Sequence, residues 1–296
     1  MKKILFATTA LVMAAGAASA EVAFSGYGRF GLMYTDMPAA GASKTSITSR
    51  FRLQIDATTE SDAGVTFGAR ARIQQTNGGA GTGINGVRFY AKAGGLEVGV
   101  GNIIGAFEGM AGQYPIDLGL TGLSYSYTAY GVGGADAYSS AGAGASTTNG
   151  VEVIYTVGDF KAHISASDTN SRVAGAFAYT FNGYTAAIGY QDSTAMTDTE
   201  WTATFGGKIA QFGFNLGYGQ AYNGAERWTL AGSYDISDAL NMEAYYANDN
   251  SAGNAQDDAY GIDFNYDLGG GASFRGGVEK RFTGATVADL GVRFNF

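Results

Sequence analysis

Basic residues recur at every second position in the first third of the chain. Arg50 and Arg52 are separated by one residue, and so are Arg70 and Arg72. A guanidinium group keeps its positive charge at physiological pH and offers five N–H donors to carboxylate, phosphate or carbonyl oxygens. Residues two apart lie on one face of a β-strand. The spacing therefore predicts strands that present a row of arginines to polar or anionic molecules.

The same alternation collects a larger group of basic side chains, which we call the basic wall. Each member has the parity opposite to its apolar neighbours, so all should point away from the apolar face. The last member lies near the C-terminus and joins the others only if the last strand pairs with the first. The basic wall comprises Arg29, Arg50, Arg52, Arg70, Arg72, Arg88, Lys92 and Arg293.

The elements that must position these side chains are strands of a membrane barrel. At the C-terminus, Leu290, Val292, Phe294 and Phe296 alternate with polar residues, and the chain ends on the last of these aromatics. Similar segments recur down the chain and give about sixteen strands, with aromatic residues flanking the apolar face. An even number of strands lets the last pair with the first, and closure leaves no open edge in lipid. The pattern predicts an all-β fold, a sixteen-stranded antiparallel transmembrane β-barrel.

The N-terminus and the composition are consistent with an exported protein. Lys2 and Lys3 precede an apolar run and a small-residue stretch that ends at Ala20, which predicts a signal peptide over residues 1–20 and a barrel over 21–296. Cysteine is absent, Gly is 47 against Pro 2, and the formal net charge is −8. An acidic chain of this kind argues against nucleic acid as a partner. No segment after residue 20 offers about eighteen consecutive apolar residues.

One connection is much longer than the others and spans residues 102–149. Its first half is too apolar for a free surface loop, so we expect it to fold inward and pack inside the lumen. It carries Glu108, Asp117 and Asp136 and no basic residue. These carboxylates should then face the basic wall across a narrow gap, where low-dielectric walls focus a transverse field. Selection by size and polarity would follow, without tight binding.

A passive, water-filled pore for small hydrophilic solutes is the function that this arrangement favours over three alternatives. The single histidine, His163, shares the lumen face with Ser165 and Ser167, which would suit a barrel esterase, but no nucleophile motif surrounds them and no enzyme is expected. A substrate-specific channel, or a structural or adhesive barrel closed by its long loop, uses the same fold. The acidic segments Asp192/Asp198/Glu200 and Asp249/Asp257/Asp258 offer oxygen ligands to Ca²⁺, although solvated loop charge is the commoner explanation. No other cofactor is indicated.

Three segments together resemble the general diffusion porins of alphaproteobacteria, of the Rhodobacter and Rhodopseudomonas type. They are residues 21–31 (EVAFSGYGRFG), residues 48–53 with 64–69, and the C-terminal segment 287–296. The resemblance implies a sixteen-stranded homotrimer whose long third loop narrows the pore, with Arg29, Arg50, Arg52, Arg70 and Arg72 matching the basic side and Glu108 the acidic side. Some members of the family bind calcium. This chain departs from the family in having fewer acidic residues in the long loop.

The predicted partners follow from that placement. They are two further copies of the chain, outer-membrane lipid and lipopolysaccharide, and the barrel-assembly machinery through Phe296, in the outer membrane of a Gram-negative bacterium. Small outward residues favour either a trimer contact or ordinary packing against lipid at Gly26, Gly28, Ala69, Ala71, Ala91 and Ala93. The sign of ion selectivity stays open, because the acidity of the chain favours cations and the basic wall favours anions.

Overall fold

The molecule is built from β-strands in which apolar and polar residues alternate, as the sequence pattern predicts. The computed structural model describes residues 20–77, 79, 83–129, 134–140 and 149–296, so the predicted signal peptide lies almost wholly outside the described residues. Within them, sixteen antiparallel strands form one closed barrel. The strands are β1 (Glu21–Thr35), β2 (Thr45–Glu60), β3 (Thr66–Thr76), β4 (Arg88–Ala93), β5 (Leu96–Gly101), β6 (Gly150–Val157), β7 (Phe160–Ser167), β8 (Val173–Phe181), β9 (Tyr184–Asp192), β10 (Glu200–Ile209), β11 (Phe212–Gln220), β12 (Glu226–Asp235), β13 (Leu240–Asp249), β14 (Asp258–Gly269), β15 (Ala272–Lys280) and β16 (Thr286–Asn295).

The barrel closes where β1 pairs with β16. The Gly26 amide donates to the Phe296 carbonyl at 2.8 Å, and the Phe296 amide donates back to the Gly26 carbonyl at 3.1 Å. The Phe296 ring lies against Gly26 and stacks on Phe51 of β2 at a centroid distance of 5.7 Å. The Phe294 ring covers Gly28 in the same way. Two of the six residues predicted for a trimer contact are therefore covered by the chain's own aromatic rings.

The two faces of the wall differ in the way the alternation predicts. Large apolar side chains stand exposed on the outer face, among them Phe51, Phe177, Tyr179 and Trp228. The inner face is polar, and many of its charged side chains are buried against the long loop. No helix among the described residues is long and apolar enough to cross a membrane.

Short turns and longer connections alternate around the barrel. Asn182-Gly183 joins β8 to β9 with both φ angles positive, at 50° and 82°, a two-residue hairpin conformation for which Asn-Gly is the preferred sequence. At the opposite rim, a single 3₁₀ turn over Thr169–Ser171 lies between β7 and β8. The longest connection runs from the end of β5 at Gly101 to the start of β6 at Gly150.

This connection, which we call the long loop, folds into the lumen and supplies most of the large buried apolar side chains among the described residues. Phe107 and Met110 pack against alanines 174, 176 and 187 on the inner face of β8 and β9. Farther along, Ile116, Leu118 and Tyr127 pack on Tyr245 and its neighbours on β12 to β14. The apolar composition that is unusual for an exposed loop is thus explained by burial against the wall.

Candidate pore constriction

Three arginines of the basic wall lie directly side by side. Arg29 on β1 is the cross-strand partner of Arg50 on β2 and of Arg293 on β16. Like charges directly opposite one another are destabilising, so this row needs compensating groups. The Arg29 guanidinium is buried and donates to the Leu120 carbonyl of the long loop at 3.0 Å. The loop therefore stabilises the row through a backbone oxygen.

Arg50 and Arg52 find only neutral partners among the described residues. Arg50 donates to the hydroxyls of Thr76 and Tyr27 at 3.2 and 3.3 Å, and Arg52 donates to the Gln74 side-chain oxygen at 2.7 Å. The Arg52 guanidinium also lies 5.2 Å from the Tyr27 ring centroid. Both side chains keep an uncompensated positive charge at the surface of the lumen.

Arg72 belongs to the same uncompensated group. It donates to the Gln54 side-chain oxygen at 2.9 Å and to the Ser140 hydroxyl at 3.3 Å. Its guanidinium stacks 4.5 Å from the ring centroid of Tyr138. Burial raises the pKa of the Tyr138 hydroxyl above its ordinary value, so this loop side chain is neutral beside the arginine.

Two other predicted members of the basic wall are neutralised by strand carboxylates. Arg70 lies 2.7 Å from Asp56, its direct cross-strand partner. Arg88 is buried and reaches both Glu97 and Glu152 at 2.5 Å. Both arginines therefore lie beside carboxylates of neighbouring parts of the wall, which offset their positive charge. The remaining member, Lys92, is solvent-exposed near the end of β4.

The loop carboxylates occupy three different positions. Asp117 contacts the basic wall directly, at 3.0 Å from Arg293 and 2.7 Å from Arg275. Asp136 is buried and pairs with Arg172 at 2.9 Å, so the expectation that it faces the wall is wrong. Glu108 accepts a hydrogen bond of 2.6 Å from the Tyr114 hydroxyl.

Among the loop carboxylates that the structure describes, Asp117 bridges the predicted gap by contacting two arginines. The second of these, Arg275 on β15, is absent from the predicted wall. The alternation predicts the face of β15 on which Arg275 lies. Its pairing with a loop residue 158 positions away depends on the tertiary structure.

Carboxylates of the barrel wall hold the loop by its backbone. Asp289 on β16 accepts hydrogen bonds from the Leu120 and Thr121 amides at 2.9 and 2.8 Å and from the Thr121 hydroxyl at 2.6 Å. Asp263 on β14 accepts from the Gly119 amide at 2.5 Å. Two further acceptors continue the series, which we call the anchoring carboxylates: Glu243, Asp263, Glu279 and Asp289. Through these hydrogen bonds the four side chains hold the segment from Asp117 to Ser124 against the wall.

The histidine considered for an esterase contacts a carboxylate of the barrel wall. His163 is buried, with Nε2 3.0 Å from Glu152. Ser165 is also buried, and its hydroxyl accepts the Ala106 amide of the long loop at 2.8 Å. Ser165 therefore holds the start of the loop, and neither buried group is open to a substrate.

The predicted calcium ligands are not gathered into one site. Glu200 is fully buried and accepts a hydrogen bond from Gln191 at 2.9 Å, while Asp198 accepts from the Thr199 amide at 2.7 Å. Among the residues that the structure describes, no group of three or more His, Cys, Asp or Glu side chains could hold a metal ion. Calcium binding through Asp192, Asp198 and Glu200 stays a prediction.

Comparison with known proteins decides the family. The family model described as Gram-negative porin matches residues 7–292 of the chain. The chain belongs to the Gram-negative porin family. The porin of Fuscovulum blasticum is 32% identical over 93% of this chain and 100% of the relative, and the porin of Rhodobacter capsulatus is 29% identical with the same coverage. The chain is therefore a channel protein of the outer membrane, and not an enzyme.

The structure of this chain also resembles solved porin structures. A tryptophan-substituted variant of the Rhodopseudomonas blastica porin superimposes with a TM-score of 0.84 at 30% identity, covering 93% of this porin and 100% of that chain. A second variant, with a lysine and an arginine replaced by alanine, gives the same TM-score, identity and coverages. The predicted fold is thus confirmed.

Proposed function

We propose that this porin forms a water-filled channel for the passive diffusion of small hydrophilic solutes and ions, narrowed by the long loop. The observation that carries the proposal is the loop itself, which packs on the inner wall from β7 to β16 and leaves Arg50, Arg52 and Arg72 facing the lumen. A loop that enters the lumen reduces its cross-section, and the polar inner face keeps it wet.

Selection follows from the charge arrangement at this narrowing. With negative charge on the loop at Asp117 and Glu108 and positive charge on the wall at the uncompensated arginines, the potential would change across the lumen as well as along it. A polar solute aligns with this field and keeps favourable contacts as it loses part of its hydration shell. An apolar solute must displace oriented water and gains no such contact. Binding stays weak, as rapid passage requires.

Conductance in planar bilayers tests the proposal. Steady, ohmic steps from the purified protein are expected, and a preparation that never conducts would contradict a diffusion pore. Replacing Arg50 and Arg52 together by alanine should raise cation preference, read as a shift of the reversal potential in a salt gradient. Lys92→Ala serves as a control, because it removes a positive charge from a residue that is not next to Arg29, Arg50 or Arg293 in the barrel. An unchanged reversal potential in the double variant would rule out the proposed role of the arginines.

The assembled state is proposed as a homotrimer, surrounded by outer-membrane lipid and lipopolysaccharide. Removal of residues 1–20 would leave Glu21, the first residue of β1, as the mature N-terminus. Recognition of Phe296 by the barrel-assembly machinery would precede its packing against Gly26 and Phe51. Native mass spectrometry of protein purified from membranes reads both the subunit number and the mass of the mature chain.

A further inference from the structure

Two tyrosine rings of the long loop are exposed inside the barrel. Tyr114 and Tyr125 have 42% and 44% of their surface accessible, whereas Phe107 and Tyr127 of the same loop are buried to about 1% exposure. The two exposed rings meet edge to face, with centroids 5.9 Å apart and an interplanar angle of 89°. The loop thus presents an aromatic surface to the lumen in addition to its buried anchors.

The position of Tyr125 is held by the backbone and by neighbouring rings. Tyr125 has a φ of +59°, in the left-handed region that non-glycine residues rarely adopt, and Leu123 has a φ of +45°. The Tyr125 ring packs on Tyr127 at 5.8 Å, and Tyr127 packs on Tyr245 of β13 at 5.6 Å. Strained backbone of this kind persists only where its surroundings determine it, and it concentrates at ligand-binding sites. The ring is therefore held in place before any solute arrives.

Guanidinium groups lie close to this ring. The Tyr125 hydroxyl is 3.5 Å from the Thr121 carbonyl, and the neighbouring carbonyl of Leu120 is the acceptor for Arg29. Arg29 is the cross-strand partner of Arg50. The Tyr125 ring and the neighbouring Arg29 and Arg50 therefore lie at one level of the lumen.

We infer that this level of the pore binds small planar aromatic solutes that carry a carboxylate group. The carboxylate would accept paired hydrogen bonds from Arg50 and Arg52, whose present partners are neutral, and the ring would pack on Tyr125. Glu108, which accepts the Tyr114 hydroxyl, repels the carboxylate and so directs it towards the arginines. The inference rests on the proposed channel function and adds a preferred class of solute to it.

The test compares two acids of equal charge in the wild-type protein. Benzoate should block the potassium chloride current in planar bilayers with a half-maximal concentration roughly two- to tenfold lower than that of cyclohexanecarboxylate. The saturated ring keeps the carboxylate and loses the flat face, so the ratio isolates the contribution of the aromatic surface. Equal block by the two acids would overturn the inference and leave the diffusion pore intact, whereas a protein that never conducts would contradict the pore itself.

Substitutions show which residues cause the preference for benzoate. Tyr125→Leu should abolish the preference for benzoate, and Tyr125→Phe, which keeps the ring, should retain it. Replacing Arg50 and Arg52 together by alanine should raise the half-maximal concentration of both acids about tenfold or more. A benzoate preference that survives Tyr125→Leu would refute this site. The comparison of benzoate with cyclohexanecarboxylate in the wild-type protein needs no variant. It therefore tests the inference even if the loop changes position in Tyr125→Leu.

Discussion

Loosening of the long loop is expected when one anchoring carboxylate is replaced, and Asp289→Asn is the sharpest case. Asp289 is buried and accepts three hydrogen bonds from Leu120 and Thr121. Hydrogen bonds to a charged acceptor contribute about 1.5–3 kcal/mol each. The amide keeps one acceptor oxygen and turns an NH₂ donor towards a donating backbone amide, so about 3 kcal/mol of attachment should be lost. That raises the population of the detached segment about 150-fold.

The barrel ladder does not pass through the loop, so the protein should still fold and insert. The expected result in single-channel recording is a noisier current with excursions to higher conductance, since a detached loop leaves the lumen wider. Amide hydrogen exchange of Leu120 and Thr121 should accelerate by a comparable factor. Asp235→Asn serves as the control, because it removes the same charge from a residue whose partners in the described part of the chain, Lys208 and Asn241, lie on the barrel wall. Wild-type noise and exchange rates in Asp289→Asn would refute the idea that the anchoring carboxylates hold the loop.

Three further changes have definite expected outcomes. Asp117→Asn removes the counter-charge of two arginines, so the reversal potential should shift towards anion preference, and stability should change by less than about 1 kcal/mol because this carboxylate is 56% exposed; a shift towards cations would contradict the assignment. Gly28→Val places a side chain where the Phe294 ring lies, so the gel-shift temperature of the folded barrel should fall, and an unaltered temperature would show that the ring moves freely. Arg88→Ala leaves the buried Glu152 without its main counter-charge and should cost about 3–5 kcal/mol in chemical denaturation, whereas a near-zero change would mean that the carboxylate finds water.

Strand parity made much of the site predictable. The arginines at 29, 50, 52 and 72 face the lumen as the alternation indicated, because a residue on a strand has only two faces to occupy. The same reasoning applied to acidic residues would have found Asp56, which shares the face of Arg52 and neutralises Arg70. The sign of the basic residues alone does not reveal this pairing, because it depends on a carboxylate of the neighbouring strand.

The path of the long loop could be predicted only in outline. Its apolar first half required burial, so an inward fold followed from composition. Its contacts with β16 join residues more than 160 positions apart, and no periodicity relates a loop to a wall at such a distance. The pairing of Asp136 with Arg172, and the contact of Asp117 with Arg275, are consequences of where the loop lies in space.

The sequence by itself determined the barrel, its closure and the face on which each charge lies, because alternation is a local property of extended chain and lipid tolerates no open strand edge. Only the tertiary structure decided which of those charges remain uncompensated. That outcome depends on distances of a few ångströms between side chains from different strands and the loop, where a carboxylate at 2.7 Å neutralises Arg70 while Arg52, one strand away on the same face, reaches only an amide oxygen. The chemistry of the pore arises from that difference.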